Sequence, residues 1–242
     1  MYREWAPRAE LRERSLCVWY RRSAESDPVR VVPDGCIDLV WTNGDLQVAG
    51  PDTTAWTSRM QAGTEVVGLR FHPGAAPPIL GVAAVELVNQ RVSVSTLWGR
   101  PGATLTARLA DATTPAAAMA ILQDAVRERS ADAPAIDSVV RHFVEIARRQ
   151  RRVMRMAAFE DLFGLSERQF RRRCMTALGY GPKTLTRILR FQHFLALADR
   201  AQQGTLADVA ARAGYADQPH LNRDVVQLTG LPPGALVASR RL

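Results

Sequence analysis

The stretch TLADVAARAGYADQPHLNRDVVQLTGLPPGAL, residues 205–236, decides the architecture of the C-terminal half of this chain. Gly214 and Asp217 divide it, because a glycine readily ends a helix and an aspartate caps the helix that follows. Apolar residues repeat at helical spacing on both sides of this break: Leu206, Val209, Ala210 and Ala213 before it, and Leu221, Val225 and Leu228 after it. The pattern predicts two short helices joined by a glycine turn, which is the basic unit of a helix-turn-helix.

The second helix of such a unit enters the major groove of DNA, so its outward residues are the candidate contacts. With Leu221 facing inward, the helical wheel puts Gln218 and Asn222 at the flanks and turns four side chains outward: Pro219, Arg223, Val226 and Gln227. An ordinary helical hairpin inside an all-α domain fits the same pattern. Helix-turn-helix is a weak sequence signal by itself, so the remainder of the chain has to distinguish the two interpretations.

Charge is unevenly distributed over the 242 residues, whose formal net charge is +8. Residues 1–134 carry 14 basic and 15 acidic side chains, a net of −1, whereas residues 135–242 carry 18 and 9, a net of +9. The whole excess surrounds the predicted helix-turn-helix, as expected of a domain that binds a polyanion. The charged start MYREWAPRAELRER is no secretory signal, and no apolar run approaches the roughly 20 residues that span a bilayer. These features predict a cytoplasmic protein without a membrane partner.

Motifs for catalysis or metal binding do not emerge from the sequence. The three cysteines, Cys17, Cys36 and Cys174, are widely spaced, which fits a reducing cytoplasm and matches no zinc pattern. The N-terminal half has one histidine, His72, whereas a metal-dependent barrel would need two or three imidazoles with a carboxylate. Neither a glycine-rich phosphate loop nor a Gly-x-Ser-x-Gly elbow is present. We therefore expect no catalytic residues, no metal and no other cofactor.

Short strands separated by turn residues follow one another in the N-terminal half. The clearest hairpin is IDLVW-TNGD-LQVAG, in which Asn43 and Gly44 supply the positive φ angles of a tight turn. The predicted strands are Leu16–Arg21, Val29–Val32, Cys36–Thr42, Asp45–Gly50 and Thr64–Phe71, with a short helix around Ile79–Val88. Such close spacing predicts a small antiparallel β-barrel or sandwich.

A barrel of this size can hold one small ligand in its mouth. The residues that would line such an effector pocket are Trp19, Asp38, Trp41, Trp56, Arg70 and His72. Each of them also fits a structural role: tryptophans in the core, Asp38 as an acceptor of local hydrogen bonds, and Arg70 on a solvated face. For each of the six residues considered alone, the structural role is favoured over ligand contact. The pocket is therefore a hypothesis about the six residues together.

The stretch RMAAFEDLFGLSERQFRRRCMTALG, residues 155–179, predicts another helix-turn-helix, N-terminal to the one at residues 205–236. Gly164 makes the turn, and Ser166 with Gln169 forms a capping box for the next helix. The inward residues are expected to be Met156, Phe159 and Leu162, then Phe170, Cys174 and Leu178. The opposite face carries Arg168, Arg172 and Thr176, flanked by Arg171 and Met175. Because arginine binds phosphate and pairs bidentately with guanine, this arginine-rich face is predicted to contact DNA.

The segment GPKTLTRILRFQHFLALADRAQ between the two motifs predicts one unusually apolar linker helix. About 19 residues give it a length of roughly 28 Å. Major-groove faces on one side of a duplex recur at about 34 Å, so such a helix can hold two reading helices in adjacent grooves. PAAAMAILQDAVRER, residues 115–129, predicts another helix, which either forms a dimer seam or covers the barrel.

Residues 164–197 and 206–236 resemble the DNA-binding domain of AraC/XylS-type transcription regulators, above all in Ala-Gly-Tyr-Ala-Asp-Gln-x-His-Leu-x-Arg and Gly-Leu-x-Pro-Gly. VVPDGCIDLVW, GLRFHPGAAPPILGV and LWG look like the cupin-like domain that a small subset of these regulators carries. The resemblance implies major-groove reading by Arg168, Arg171 and Arg172 in one helix, and by Gln218, Pro219, Asn222 and Arg223 in the other. In the second of these helices the family usually has an aromatic residue and one or two basic residues where this chain has Val225, Val226 and Gln227. The helix that carries the three arginines should therefore supply more of the affinity for DNA.

The predicted fold class is α+β: a small antiparallel β-barrel, cupin-like, and then an all-α domain with two helix-turn-helix motifs joined by a long linker helix. The predicted bounds are 1–108 for the barrel, 109–134 for a helical connector and linker, and 135–242 for the DNA-binding domain.

The functional hypothesis is a one-component regulator, monomeric or homodimeric, that responds to an unknown small-molecule effector and binds promoter DNA bipartitely. RNA polymerase is a further candidate partner. Two alternatives remain. One is a thiol- or electrophile-sensing regulator that uses Cys17 or Cys36, and the other is a ligand-binding or catalytic barrel with an incidental basic domain.

Overall fold

The structure, a computed structural model, describes residues 1–26, 28–150, 162–200 and 205–241. Within these ranges an antiparallel sheet domain precedes a helical domain, which confirms the predicted fold class. No helix in the described ranges is long and apolar enough to cross a membrane.

The N-terminal domain is built on eight described strands: β1 Tyr2–Trp5, β2 Ser15–Arg22, β3 Pro28–Val31, β4 Asp38–Thr42, β5 Asp45–Ala49, β6 Trp56–Arg59, β7 Glu65–Phe71 and β8 Arg91–Ser93. Six of them form one antiparallel sheet in the order β1-β2-β7-β4-β5-β8, so β1 and β8 are its edges. The remaining two, β3 and β6, form an antiparallel two-stranded ribbon. The β4–β5 hairpin turns through Asn43 at φ 48° and Gly44 at φ 77°, as the Asn-Gly pair predicts.

One face of the six-stranded sheet is covered by helices: α1 Pro77–Leu80, α2 Val94–Trp98, α3 Arg100–Ala110 and α4 Pro115–Ala131. Leu122 and Val126 of α4 are fully buried in the same cluster as Leu39 and Leu69 of the sheet. Of the two roles predicted for this helix, the described contacts therefore show that it covers the sheet. The short helix predicted around Ile79–Val88 is split into α1 and a 3-10 turn, because Gly81 ends α1 in the left-handed region at φ 79°.

The described part of the C-terminal domain contains these six helices: α5 Ser138–Gln150, α6 Glu167–Leu178, α7 Pro182–Arg200, α8 Leu206–Ala213, α9 Gln218–Thr229 and α10 Pro233–Arg241. Residues 162–163 are helical as well. The linker helix α7 has 19 residues, a length of about 28 Å. Its buried Leu185, Ile188, Phe191 and Phe194 belong to one cluster with residues of α5, α6, α8, α9 and α10.

In the helix-turn-helix at residues 155–179, the inward face predicted for the helix before Gly164 needs one correction. Leu162 is 50% exposed, and Phe163 packs against the core in its place, with its ring stacked on Phe170 at a centroid distance of 5.9 Å. The helix phase therefore differs by one residue from the predicted one just before the turn at Gly164. Met156 and Phe159 lie outside the described residues.

The buried members of the two main hydrophobic clusters run from Leu11 to Val126 and from Val140 to Leu236. The predicted domain bounds stay a prediction. The two domains touch, since Gln192 of α7 donates a hydrogen bond to the carbonyl oxygen of Pro33 at 2.6 Å. Val32 also packs against the helical core.

Candidate functional site

The first candidate reading helix, α6, begins at a capping box. The Ser166 side chain accepts a hydrogen bond from the Gln169 backbone, and the Gln169 side chain accepts one from the Ser166 backbone at 3.0 Å. Gly164 precedes the box in the left-handed region at φ 61°. Phe170, Cys174 and Leu178 are buried as predicted, so the opposite face of α6 is fixed in its orientation toward solvent.

Three arginines form the exposed face of α6: Arg168, Arg171 and Arg172. Within the described residues, no carboxylate pairs with any of the three. Their neighbour Arg173 is different, because it is half-buried and bonded to Asp137 at 3.3 Å. Within the described part of the chain, the helix therefore presents three guanidinium groups without a counter-charge in its first two turns, which suits contact with phosphates and guanine edges.

The second candidate reading helix, α9, follows the predicted turn. Gly214 ends α8 at φ 90°, and the Asp217 carboxylate accepts a hydrogen bond from the His220 backbone at 2.6 Å, which makes it the N-cap of α9. Leu221, Val225 and Leu228 are fully buried. The four predicted DNA contacts are all exposed: Gln218, Pro219, Asn222 and Arg223.

A buried ion pair that the sequence analysis did not identify holds α9 on the linker helix. Arg190 of α7 donates to the Asp224 carboxylate at 2.6 Å, and its guanidinium lies 4.5 Å from the centre of the Tyr215 ring. Nη2 of Arg190, which donates to Asp224, is also 3.2 Å from Nε2 of His220. The signal in the sequence was a single arginine within the apolar run ILRFQHF. A second contact joins Arg187 of α7 to the side-chain oxygen of Gln227 at 2.9 Å.

Three of the six predicted effector-pocket residues meet on the sheet face opposite the helices. Arg70 of β7 bonds the Asp38 carboxylate of β4 at 3.0–3.2 Å, and Nε1 of Trp19 donates to the same carboxylate at 2.9 Å. Gly68 makes room for the indole, since a Cβ at this position would lie 2.1 Å from the Trp19 ring. We call Trp19, Asp38 and Arg70 the sheet-face triad.

Carboxylates surround the arginine of the triad. Besides Asp38, Arg70 lies 3.4 Å from Asp34 and 3.5 Å from Glu4. Burial acts to lower the pKa of Arg70, but the charges of Asp38 and Asp34 outweigh it, and the pKa is raised above its ordinary value. The guanidinium is therefore permanently charged and tied to carboxylates of three separate segments of the domain.

The other three predicted pocket residues lie elsewhere. Trp41 packs on the helix-covered face, and Trp56 is 37% exposed on the β3–β6 ribbon, with the Arg91 guanidinium 4.4 Å from the centre of its ring. His72 follows the end of β7, where its Nε2 lies 3.2 Å from the carbonyl oxygen of Arg12. The six residues thus do not line one pocket in this structure. A cleft of about 400 Å³ opens at a different place, between α3 and α4.

The cysteine alternative finds little support in the surroundings of the thiols. Burial raises the pKa of Cys17 to about 12, and nearby Glu4 acts in the same direction. Burial also raises the pKa of Cys36 well above its ordinary value. Both thiols are thus protonated at neutral pH, whereas a reactive sensor cysteine needs an accessible thiolate.

His72 should make stability depend on pH. Burial lowers its pKa, and the charge of Arg148 acts in the same direction. Because the unfolded chain, with a pKa of about 6.5, binds the proton more readily, this stabilisation is present above that pH and is lost as the pH falls through the folded value. We expect the free energy of unfolding to decrease from pH 7 to pH 5, and to decrease less in His72→Gln. Urea unfolding across this range measures it, with the exposed His142→Gln as the control, and equal slopes in all three proteins would contradict the assignment.

Comparisons with known proteins cover both halves of the chain. Residues 3–93 match a domain of unknown function, DUF6597, and residues 160–239 match a helix-turn-helix domain. No curated protein matches the sequence.

Among solved structures, the chain is similar to ToxT from Vibrio cholerae. An apo variant of ToxT is 10% identical over 92% of this chain and 96% of its own, with a TM-score of 0.49. A second ToxT structure is 9% identical over 90% of this chain and 95% of its own, with a TM-score of 0.48. The family match, and not these distant likenesses, carries the assignment. Residues 160–239 hold both reading helices and the linker helix between them, and this part of the chain is a helix-turn-helix domain of the AraC type.

Proposed function

We propose that this regulator binds promoter DNA bipartitely, with α6 and α9 in successive major grooves. The observation that carries the proposal is that both reading helices are capped, exposed on their predicted contact faces, and packed on one shared core. Phe170 of α6, Phe191 of α7 and Leu221 of α9 are each fully buried in that core. Two reading helices packed on one core can dock together, with little loss of conformational freedom on binding.

The two helices are expected to contribute unequally. α6 offers three arginines without a carboxylate partner in the described structure, whereas α9 offers Arg223 as its only exposed cation between residues 218 and 229. Gln227, at a position that is usually basic in the family, is engaged by Arg187. We therefore assign most of the phosphate attraction to α6, and we propose that α9 adds base discrimination.

The N-terminal domain is proposed to sense a small molecule, with the sheet-face triad as its candidate contact. A ligand that binds one placement of the two domains better than another shifts their population and so alters transcription. The protein would act in the cytoplasm, as a monomer or homodimer, and without enzymatic activity. RNA polymerase stays a candidate partner.

Arg172→Ala tests the proposal. The variant should lose about 1–3 kcal/mol of binding free energy and relax the base preference at one position, because a bidentate arginine–guanine contact is removed. The operator is first selected from random DNA with the wild-type protein, and binding is then measured on that site and on its single-base variants.

Arg100→Ala is the matched control for Arg172→Ala. Arg100 is exposed and has no ion-pair partner in the described structure. Its replacement removes the same charge as Arg172→Ala but outside the reading helices, so the affinity for DNA should change little. Unchanged affinity of Arg172→Ala for every sequence would overturn the role of α6.

A further inference from the structure

The C-terminal end of the second reading helix is completed by the N-terminal domain. The last four carbonyl groups of any helix lack partners within it. In α9 the Val226 carbonyl accepts the N–H of Gly230 at 2.8 Å, within the same domain. The last two carbonyl groups of α9 have donors from the N-terminal domain. The Leu228 carbonyl accepts a hydrogen bond from the backbone N–H of Ala55, and the Thr229 carbonyl accepts one from Nη1 of Arg30, both at 2.6 Å.

Both donors lie at the same end of the β3–β6 ribbon. Arg30 is opposite Thr57 and Val31 is opposite Trp56, so Ala55 immediately precedes the last pair of the ladder. The guanidinium donor on β3 and the backbone donor just before β6 therefore converge on adjacent carbonyl groups. The Arg30 charge also interacts favourably with the negative end of the helix dipole.

This end of the ribbon is braced against the main sheet. Asp52 forms a two-bond ion pair with Arg91 of β8, at 3.0 and 2.6 Å. The backbone of Thr53 donates to the side chain of Asn89 at 2.8 Å. The Arg91 guanidinium in turn covers the ring of Trp56. The chain on both sides of Ala55 is thus attached to Asn89 and to Arg91 of β8.

The N-terminal domain contacts the rest of the reading apparatus as well. Near the C-terminus of α6, a Cβ on Gly179 would lie 2.7 Å from Val88 and 2.9 Å from Pro51, so the backbones approach closely there. On α7, Leu185 lies against Gly35. Both reading helices and their linker are therefore positioned against one sheet domain.

We propose that Arg30 and Ala55 are positioning residues for DNA reading: they hold the C-terminus of α9 and so set its placement relative to α6. This inference rests on the proposed bipartite function. Without the two donors, α9 stays attached to α7 through Arg190 and Asp224 but gains freedom to tilt at its far end. Base discrimination by α9 and the tolerated spacing between half-sites should then change, while reading by α6 should not.

The test uses the whole 242-residue chain and its selected operator, and it measures footprints and affinities for single-base variants in each half-site. Arg30→Ala should bind about tenfold more weakly, as expected for loss of a charged hydrogen bond, and discriminate less in the α9 half-site only. It should also tolerate one inserted base pair between the half-sites that the wild type rejects. Arg30→Lys, which keeps a cationic donor, should restore much of the discrimination.

Arg59→Ala is the matched control, because Arg59 is an exposed arginine at the opposite end of the same ribbon. It should behave like the wild type. Ala55→Pro removes the second donor without changing charge, and it should shift discrimination in the same direction as Arg30→Ala.

Two results would overturn the inference: wild-type discrimination at both half-sites in Arg30→Ala and Ala55→Pro, or an equal loss at both half-sites that follows the melting temperature. The footprint of the wild-type protein is measured before any variant is made. A footprint confined to one major groove would refute the bipartite function itself.

Discussion

Replacing Arg190 with methionine is expected to destabilise the helical domain by about 3–5 kcal/mol, because it leaves the Asp224 carboxylate buried without its partner. The side chains of Arg190 and Asp224 are only 8% and 11% exposed, so water cannot take over the lost interaction. The Nε2 atom of His220 also lies 4.0 Å from the Asp224 carboxylate. Urea unfolding followed by circular dichroism measures the loss, and DNA binding should fall with it because α9 loses its attachment to α7.

Two companion variants isolate the buried charge. Asp224→Leu combined with Arg190→Met should recover much of the stability, since an apolar pair of similar volume can replace a buried ion pair. Arg240→Met breaks an exposed pair with Asp199 of 2.7 Å and should change stability by only about 0–1 kcal/mol. If Arg190→Met proved as mild as Arg240→Met, the buried pair would not be what holds α9.

A methyl group at Gly68 is expected to displace the Trp19 ring and to destabilise the N-terminal domain by about 3 kcal/mol. The added Cβ would stand 2.1 Å from the ring, and Trp19 is only 8% exposed, so the buried indole has to move against its neighbours. Its movement would also break the 2.9 Å hydrogen bond to Asp38. Thermal unfolding and tryptophan emission of Gly68→Ala measure the two effects, and the emission should shift to the red.

The control for Gly68→Ala is a glycine with open space around it. A Cβ on Gly234, in the first turn of α10, would meet no atom within 4 Å. Gly234→Ala should leave stability unchanged or raise it by about 0.5–1 kcal/mol, because alanine loses less backbone freedom in a helix. A Gly68→Ala protein with wild-type emission and melting temperature would show that the sheet face accommodates the methyl group.

Much of the fold follows from local signals. The Asn43-Gly44 turn, the Ser166 capping box and the Asp217 cap each depend on residues within a few positions, and each is found as predicted. The strands β1, β6 and β8 escaped prediction because they have three or four residues and little burial. Their existence depends on partners far along the chain, which short-range patterns do not reveal.

The candidate effector pocket illustrates a rule that could have been applied to the sequence. Side chains alternate between faces along a strand, so Asp38 and Trp41, three residues apart on one strand, have to point in opposite directions. The structure places Asp38 with Arg70 and places Trp41 in the helix-covered core. By contrast, the contacts of Arg30 and Ala55 with α9 join residues more than 170 positions apart, and no pattern in the sequence predicts them.

The packing of Gly35 against the linker helix bears on the modularity of this protein. Gly35, at φ 84°, allows the chain to pass within 3.1 Å of Leu185 and 3.6 Å of the Tyr180 hydroxyl, measured from where its Cβ would be. Both side chains are buried in the intact molecule. A fragment cut before α5 would expose this apolar surface to water and leave it prone to self-association. The excised DNA-binding half is therefore an imperfect surrogate for the whole regulator, and its solubility and affinity would partly report the missing neighbour.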